Sequence, residues 1–100
     1  MTPNLPLHRM SRITTSTLLK TGSAVLYGVS ASEAVGNDVS VEFYSTADGS
    51  GTPVFTATIT YGNYLPFDLT PFGGIAFATH LYAKIVPTAE TTPVIHVWYD

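Results

Sequence analysis

Residues 38–61 read DVSVEFYSTADGSGTPVFTATITY. Val39, Val41 and Phe43 alternate with Ser40, Glu42 and Tyr44, and Phe55, Ala57, Ile59 and Tyr61 alternate with Val54, Thr56, Thr58 and Thr60. Successive side chains of an extended chain point to opposite sides, so this period of two marks two strands, each with a dry and a wet face. Between them, Ala47-Asp48-Gly49-Ser50-Gly51 contains residues that accept positive φ or bond their own backbone. The segment reads as a β-hairpin, and the rest of the chain repeats its pattern.

Towards the N-terminus, Ser11 to Lys20 is rich in β-branched residues and reads as a first strand. Thr21-Gly22-Ser23 turns the chain, and Ala24 to Ser32 runs back with Val25, Tyr27 and Val29 on one face and Leu26, Gly28 and Ser30 on the other. Gly28, inside that run, predicts a bulge or a close backbone approach. Glu33 to Asn37 is a loop. Towards the C-terminus, Gly62-Asn63 is a turn, and Tyr64 to Thr70 is held to an edge strand by Pro66, which has no N–H to donate. Pro71 to Ile75 is a turn followed by a short extended piece ending at Phe77. His80 to Val86 is the penultimate strand, buried through Leu81, Ala83 and Ile85. Pro87 to Pro93 is a polar loop, and Val94 to Tyr99 closes the sheet with Ile95, Val97 and Tyr99 inward. About eight short strands with no helical period predict an all-β chain, an antiparallel β-sandwich or barrel.

One hundred residues suffice for one domain, which at this size buries roughly two-thirds of its unfolded surface. Ahead of it, Met1 to Arg12 contains Pro3 and Pro6 and reads as an extended arm, with residues 13–100 forming the sandwich domain. Leu5, Leu7 and Met10 give the arm something apolar to bury, and Arg9 and Arg12 make it basic. No cysteine is present, which excludes disulfides and thiolate metal sites. The net charge of −3 argues against nucleic acid as a partner, since phosphate binding needs a basic face. No apolar run reaches the 18 residues of a membrane helix, and the first ten residues lack a signal-peptide core.

No motif carries chemistry. His8, His80 and His96 lack metal-ligand spacing, and Asp48-Gly49-Ser50-Gly51 lacks the repeated acidic positions of a calcium loop. The acidic residues fall in turns or on wet faces, so no catalytic pair, cofactor or metal site is assigned and the chain reads as a non-enzyme. The aromatic residues say more. Tyr27, Phe43, Phe55, Tyr61, Phe67, Phe72 and Tyr99 read as core or core-edge, whereas Tyr44, Tyr82 and Trp98 lie on the opposite parity and are expected to be exposed. Exposed aromatic groups on a sheet mark a partner surface.

These stretches also carry a resemblance. LLKTGSAVLYGVSASEA, then VSVEFYSTADGSGTPVFTATIT, the Gly73-Gly74-Ile75 turn and the closing IHVWY resemble the strand-and-turn layout of tailed-phage capsid decoration proteins, also called cement or head auxiliary proteins. The likeness spans residues 13 to 99, with departures at Pro66, Pro71 and His96. The resemblance implies a compact sandwich, often of jelly-roll type, made in the host cytoplasm and bound to the capsid surface of the virion. There it would cement neighbouring major capsid subunits as a homo-oligomer, a trimer in preference to a dimer, with neither nucleic acid nor membrane as partner. Leu5, Leu7, Arg9, Met10, Arg12, Tyr44, Tyr82 and Trp98 are the expected capsid or subunit interface. The alternative is a carbohydrate- or receptor-binding module of a tail or head fibre, in which the exposed aromatics stack on sugar rings.

Overall fold

The structure, a computed structural model, describes residues 9–33, 39–59, 67–87 and 94–100. These residues form two packed antiparallel sheets. The strands are β1 (Arg9–Ile13), β2 (Thr17–Thr21), β3 (Ala24–Glu33), β4 (Val39–Tyr44), β5 (Phe55–Ile59), β6 (Phe67–Asp68), β7 (Ile75–Phe77), β8 (His80–Pro87) and β9 (Val94–Tyr99). One sheet has the order β1-β9-β3-β6, with β7 also on β3, and the other the order β2-β8-β4-β5. An antiparallel β-sandwich is therefore the fold. Its pairings nest: β1 with β9, β2 with β8, β3 with β6 and β7, and β4 with β5.

The expected hairpin is present over β4 and β5, with Val39 opposite Ile59, Val41 opposite Ala57 and Phe43 opposite Phe55, while Asp38, Thr60 and Tyr61 lie outside the described residues. Its inward residues join Leu26, Val29, Phe77, Leu81, Ile95 and Val97 in one core, and among the described residues no polar or charged side chain is buried. The last two strands keep the expected faces, and both are central: β8 lies between β2 and β4, and β9 between β1 and β3. Of the edge strand expected over residues 64–70, Phe67–Asp68 is seen as β6, and Tyr64, Leu65 and Pro66 lie outside the described residues. It continues after a single 3₁₀ turn, Thr70–Phe72, into β7 on the same side of β3. Together β6 and β7 are one edge strand interrupted by that turn.

Two expectations are corrected. The run Ser11 to Lys20 is not one strand: β1 and β2 belong to different sheets, and Thr14–Ser16 crosses between them. Ser16 makes the crossing, because its Oγ accepts the Ile85 N–H at 3.0 Å and so replaces a ladder partner with a side chain. Arg9 to Arg12, read as part of the arm, accordingly pair with β9 as an edge strand. The faces of β3 are also not constant along its length. Ala24 and Leu26 point inward, the register slips between Leu26 and Gly28, and beyond the slip Val29 and Ala31 point inward instead. This is the bulge anticipated at Gly28, and by adding one residue it reverses the side-chain parity.

Candidate functional site

With no catalytic motif to organise it, the candidate site is a surface, and the two outer sheet faces differ. On the four-stranded sheet the register places Leu18 opposite Tyr82 and Tyr82 opposite Tyr44, so an apolar row crosses β2, β8 and β4. Val54, just before β5, is exposed like Leu18.

Tyr44 was expected to be exposed; the structure leaves it 4% exposed. Its parity is outward as read, since Phe43 beside it is fully buried in the core, but the outer face is covered at that point. The Lys84 ammonium lies 5.9 Å from the centre of the Tyr44 ring, and the phenol donates to Glu42 Oε1 at 2.9 Å. That hydrogen bond is the main reason the Tyr44 phenol is pushed above its ordinary 10.0, with desolvation and the Glu42 charge adding to it.

Tyr82 is half-buried under the β4–β5 loop. A Cβ on Gly49 would stand 2.8 Å from Tyr82 Cε1, so the bare backbone of that loop rests on the ring. Gly49 has φ +74°, and the Asp48 carboxylate accepts the Ser50 N–H at 3.1 Å, which sets the turn. Ser45 and Thr79 latch the loop to the β7–β8 turn, through the Thr79 hydroxyl to the Ser45 carbonyl at 2.7 Å and the Thr79 N–H to Ser45 Oγ at 3.2 Å.

The outer face of the five-stranded sheet is more open. Met10 pairs with Trp98, which on its other side pairs with Gly28; Arg12 pairs with His96, which pairs with Ser30. Met10 is 52% exposed and Trp98 half-buried, and the Trp98 and His96 rings lie 6.3 Å apart. Gly28 places no side chain beside the indole. A thioether, an indole, an imidazole and a guanidinium thus share one face, combining apolar area with three groups able to donate hydrogen bonds.

Of the eight interface residues read from sequence, the fold unites Met10, Arg12 and Trp98 in this patch. It puts Tyr44 and Tyr82 on the opposite sheet. Arg9 is exposed at the start of β1, opposite Tyr99. Leu5 and Leu7 lie outside the described residues.

Phe72 corrects the sequence reading in the other direction. Expected in the core, it is 80% exposed at the end of the 3₁₀ turn. Asp68 organises that turn by accepting the Thr70 hydroxyl and the Thr70 N–H, which holds its carboxyl below the ordinary 3.8. Pro71, inside a turn read as such, was the available signal that Phe72 follows a break in the strand rather than a strand position. Tyr27, read as core or core-edge, is half-buried, on the parity opposite the inward Leu26.

Among the described residues no group of three or more His, Asp or Glu side chains is placed to hold a metal ion, and no helix is long and apolar enough to cross a membrane. Comparison of the chain with protein-family models, with curated proteins and with solved structures returns no match.

Proposed function

We propose that this chain is a non-enzymatic structural protein of a tailed-phage virion, which decorates the outside of the capsid and cements neighbouring major capsid subunits. The observation that carries this reading is the nested strand pairing, β1 with β9 inward to β4 with β5, split between two sheets. We read that order as a jelly roll, the architecture implied by the resemblance in residues 13–99 and one common among capsid proteins. A rigid sandwich with one partly apolar, weakly charged outer face suits a protein that grips an assembled shell. Binding assembled but not dissociated subunits would stabilise the shell by mass action, and many copies would compensate for weak single contacts.

The Met10, Arg12 and Trp98 patch is assigned as the capsid contact, with the segment ahead of β1 as an arm to a neighbouring subunit. Undecorated phage heads mixed with the purified chain and sedimented should carry it down at a fixed ratio. Trp98→Ala should weaken that binding by about 2 kcal/mol or more, as expected of an aromatic anchor at an interface centre. Deleting Met1–His8 should leave a folded sandwich with reduced shell binding. A folded chain that ignores heads at every concentration would sink the proposal.

A second reading, a sugar-binding module, is favoured by the half-buried Trp98 between Met10 and Gly28, since jelly rolls also serve as lectins. Trp98 is the only tryptophan, so its fluorescence during a glycan titration reports that face directly. A saturable change with a glycan, together with no binding to heads, would replace the first reading by the second.

A further inference from the structure

Among the described residues the sandwich has four sheet edges, and they are not equivalent. An edge strand offers unpaired N–H and C=O groups to any other chain, so folded proteins blunt it with charge, proline, bulges or interruption. Edge β1 carries Arg9 and Arg12. Edge β2 carries Lys20 and a register slip between Leu18 and Lys20. The β6 and β7 edge is interrupted by the 3₁₀ turn and carries Asp68.

Edge β5, FTATI, has none of these devices. Its five residues pair with β4 without a slip, and it contains no charge, proline or glycine. A short, uncharged segment of high β-propensity left on an edge is either covered by a specific partner strand or an aggregation hazard.

We propose that the β5 edge is a self-association surface, on which a second copy of this chain lays its own β5 antiparallel about a two-fold axis. The two four-stranded sheets would then run on as one of eight strands. Charge selects the occupant. An antiparallel pairing of β1 with itself would bring arginines together, and like charges across a ladder repel, whereas β5 against β5 brings together only uncharged residues. Thr56 and Thr58, both exposed, meet across the axis when it passes through Ala57, and threonine pairs are favourable in cross-strand positions. A two-fold edge pairing closes on itself after two copies, so it selects a dimer over a trimer for the isolated chain.

The test uses the full chain. Its mass by light scattering is expected at twice 10.7 kDa, and the variant Thr56→Lys/Thr58→Lys, with lysines facing lysines, is expected at 10.7 kDa, still folded with a cooperative melt whose midpoint no longer depends on concentration. Because the chain has no cysteine, Thr56→Cys/Thr58→Cys supplies the only thiols and covers a two-fold axis at residue 56, 57 or 58. Directly opposed strand residues lie about 4.5–5.5 Å apart at Cα, within disulfide range, so mild oxidation should link two chains much faster than in the control Met10→Cys/Arg12→Cys.

A monomeric wild type, an assembly that keeps growing with concentration, a trimer, or a dimer that survives the lysines would each overturn the inference. So would cross-linking no faster than the control. The result is separable from the capsid reading: a monomer that binds heads sinks the dimer alone, and a β5-paired dimer that ignores heads sinks the decoration role alone.

Discussion

Phe43 is fully buried, and its ring stacks on Phe55 at a centroid distance of 6.3 Å, so Phe43→Ala is expected to cost about 3–5 kcal/mol in denaturant unfolding. Phe72→Ser, at a ring that is 80% exposed, should change the same measurement by less than about 0.5 kcal/mol. The contrast between two phenylalanines tests the inside and the outside of the sandwich together. Two adjacent glycines make a finer pair. Gly74 has φ +81°, and a Cβ there would lie 2.5 Å from Val25 Cγ1 and 3.0 Å from the Leu26 carbonyl oxygen; Gly73 has φ +75° but nothing within 4 Å. Both alanine variants carry the backbone strain of a positive φ, and Gly74→Ala adds a collision, so its melting temperature should fall further than that of Gly73→Ala, with a loss above about 1 kcal/mol. Tyr44 gives a test in alkali. Its folded value lies above the ordinary 10.0, so the folded chain holds the proton more tightly than the unfolded chain. The stabilisation is complete below pH 10.0 and is lost as pH rises through the folded value. Tyr44→Phe should remove from the phenolate absorbance titration a component that titrates above pH 10.0.

At the scale of elements, the 3₁₀ turn between β6 and β7 titrates in the opposite sense. Asp68 has its folded value below the ordinary 3.8, so its support of the turn is full above pH 3.8 and is lost as pH falls through the folded value. The wild type should show amide exchange at Gly73 and Gly74 rising on that acid limb, and Asp68→Asn should abolish the dependence. These amides report the turn because they donate to the Thr70 and Leu69 carbonyls at 3.0 and 2.9 Å. Elements with strict alternation, β4, β5, β8 and β9, were legible in the sequence because each keeps one face in the core throughout. The missed features are of another kind. Nothing local in Ile13-Thr14-Thr15-Ser16-Thr17 marks the passage between sheets, because threonine and serine there suit a strand. The stop comes from a bond to Ile85, 69 positions away. The burial of Tyr44 likewise draws on a neighbouring strand, through Lys84 of β8, together with Glu42 two positions earlier on its own. The bulge at Gly28 was visible as a glycine, but the reversal of faces follows only from the register with Trp98 and Tyr99. For the candidate patch, parity alone placed Trp98 outward; that Met10 and Arg12 flank its row required the pairing of β1 with β9.

For the whole molecule, the central positions of β8 and β9 mean that neither sheet is continuous without the C-terminal part of the chain. Truncation before Val94 should leave β1 without its neighbour and abolish the cooperative melt, whereas loss of the 3₁₀ turn alone should not. The pairing of Arg9 with Tyr99 joins residues 90 positions apart, and the interior pairings follow inward from it. A growing polypeptide leaving the ribosome would therefore present β1 long before β9, its one sheet neighbour among the described residues, exists. The hairpin of β4 and β5 is the first unit able to form by itself, and the five-stranded sheet must wait for release of the last strand. Topologies so dominated by distant pairings fold on the order of milliseconds to seconds. During that interval the uncharged β5 edge lies open, and unpaired strand edges of this kind are where partly folded chains associate with one another.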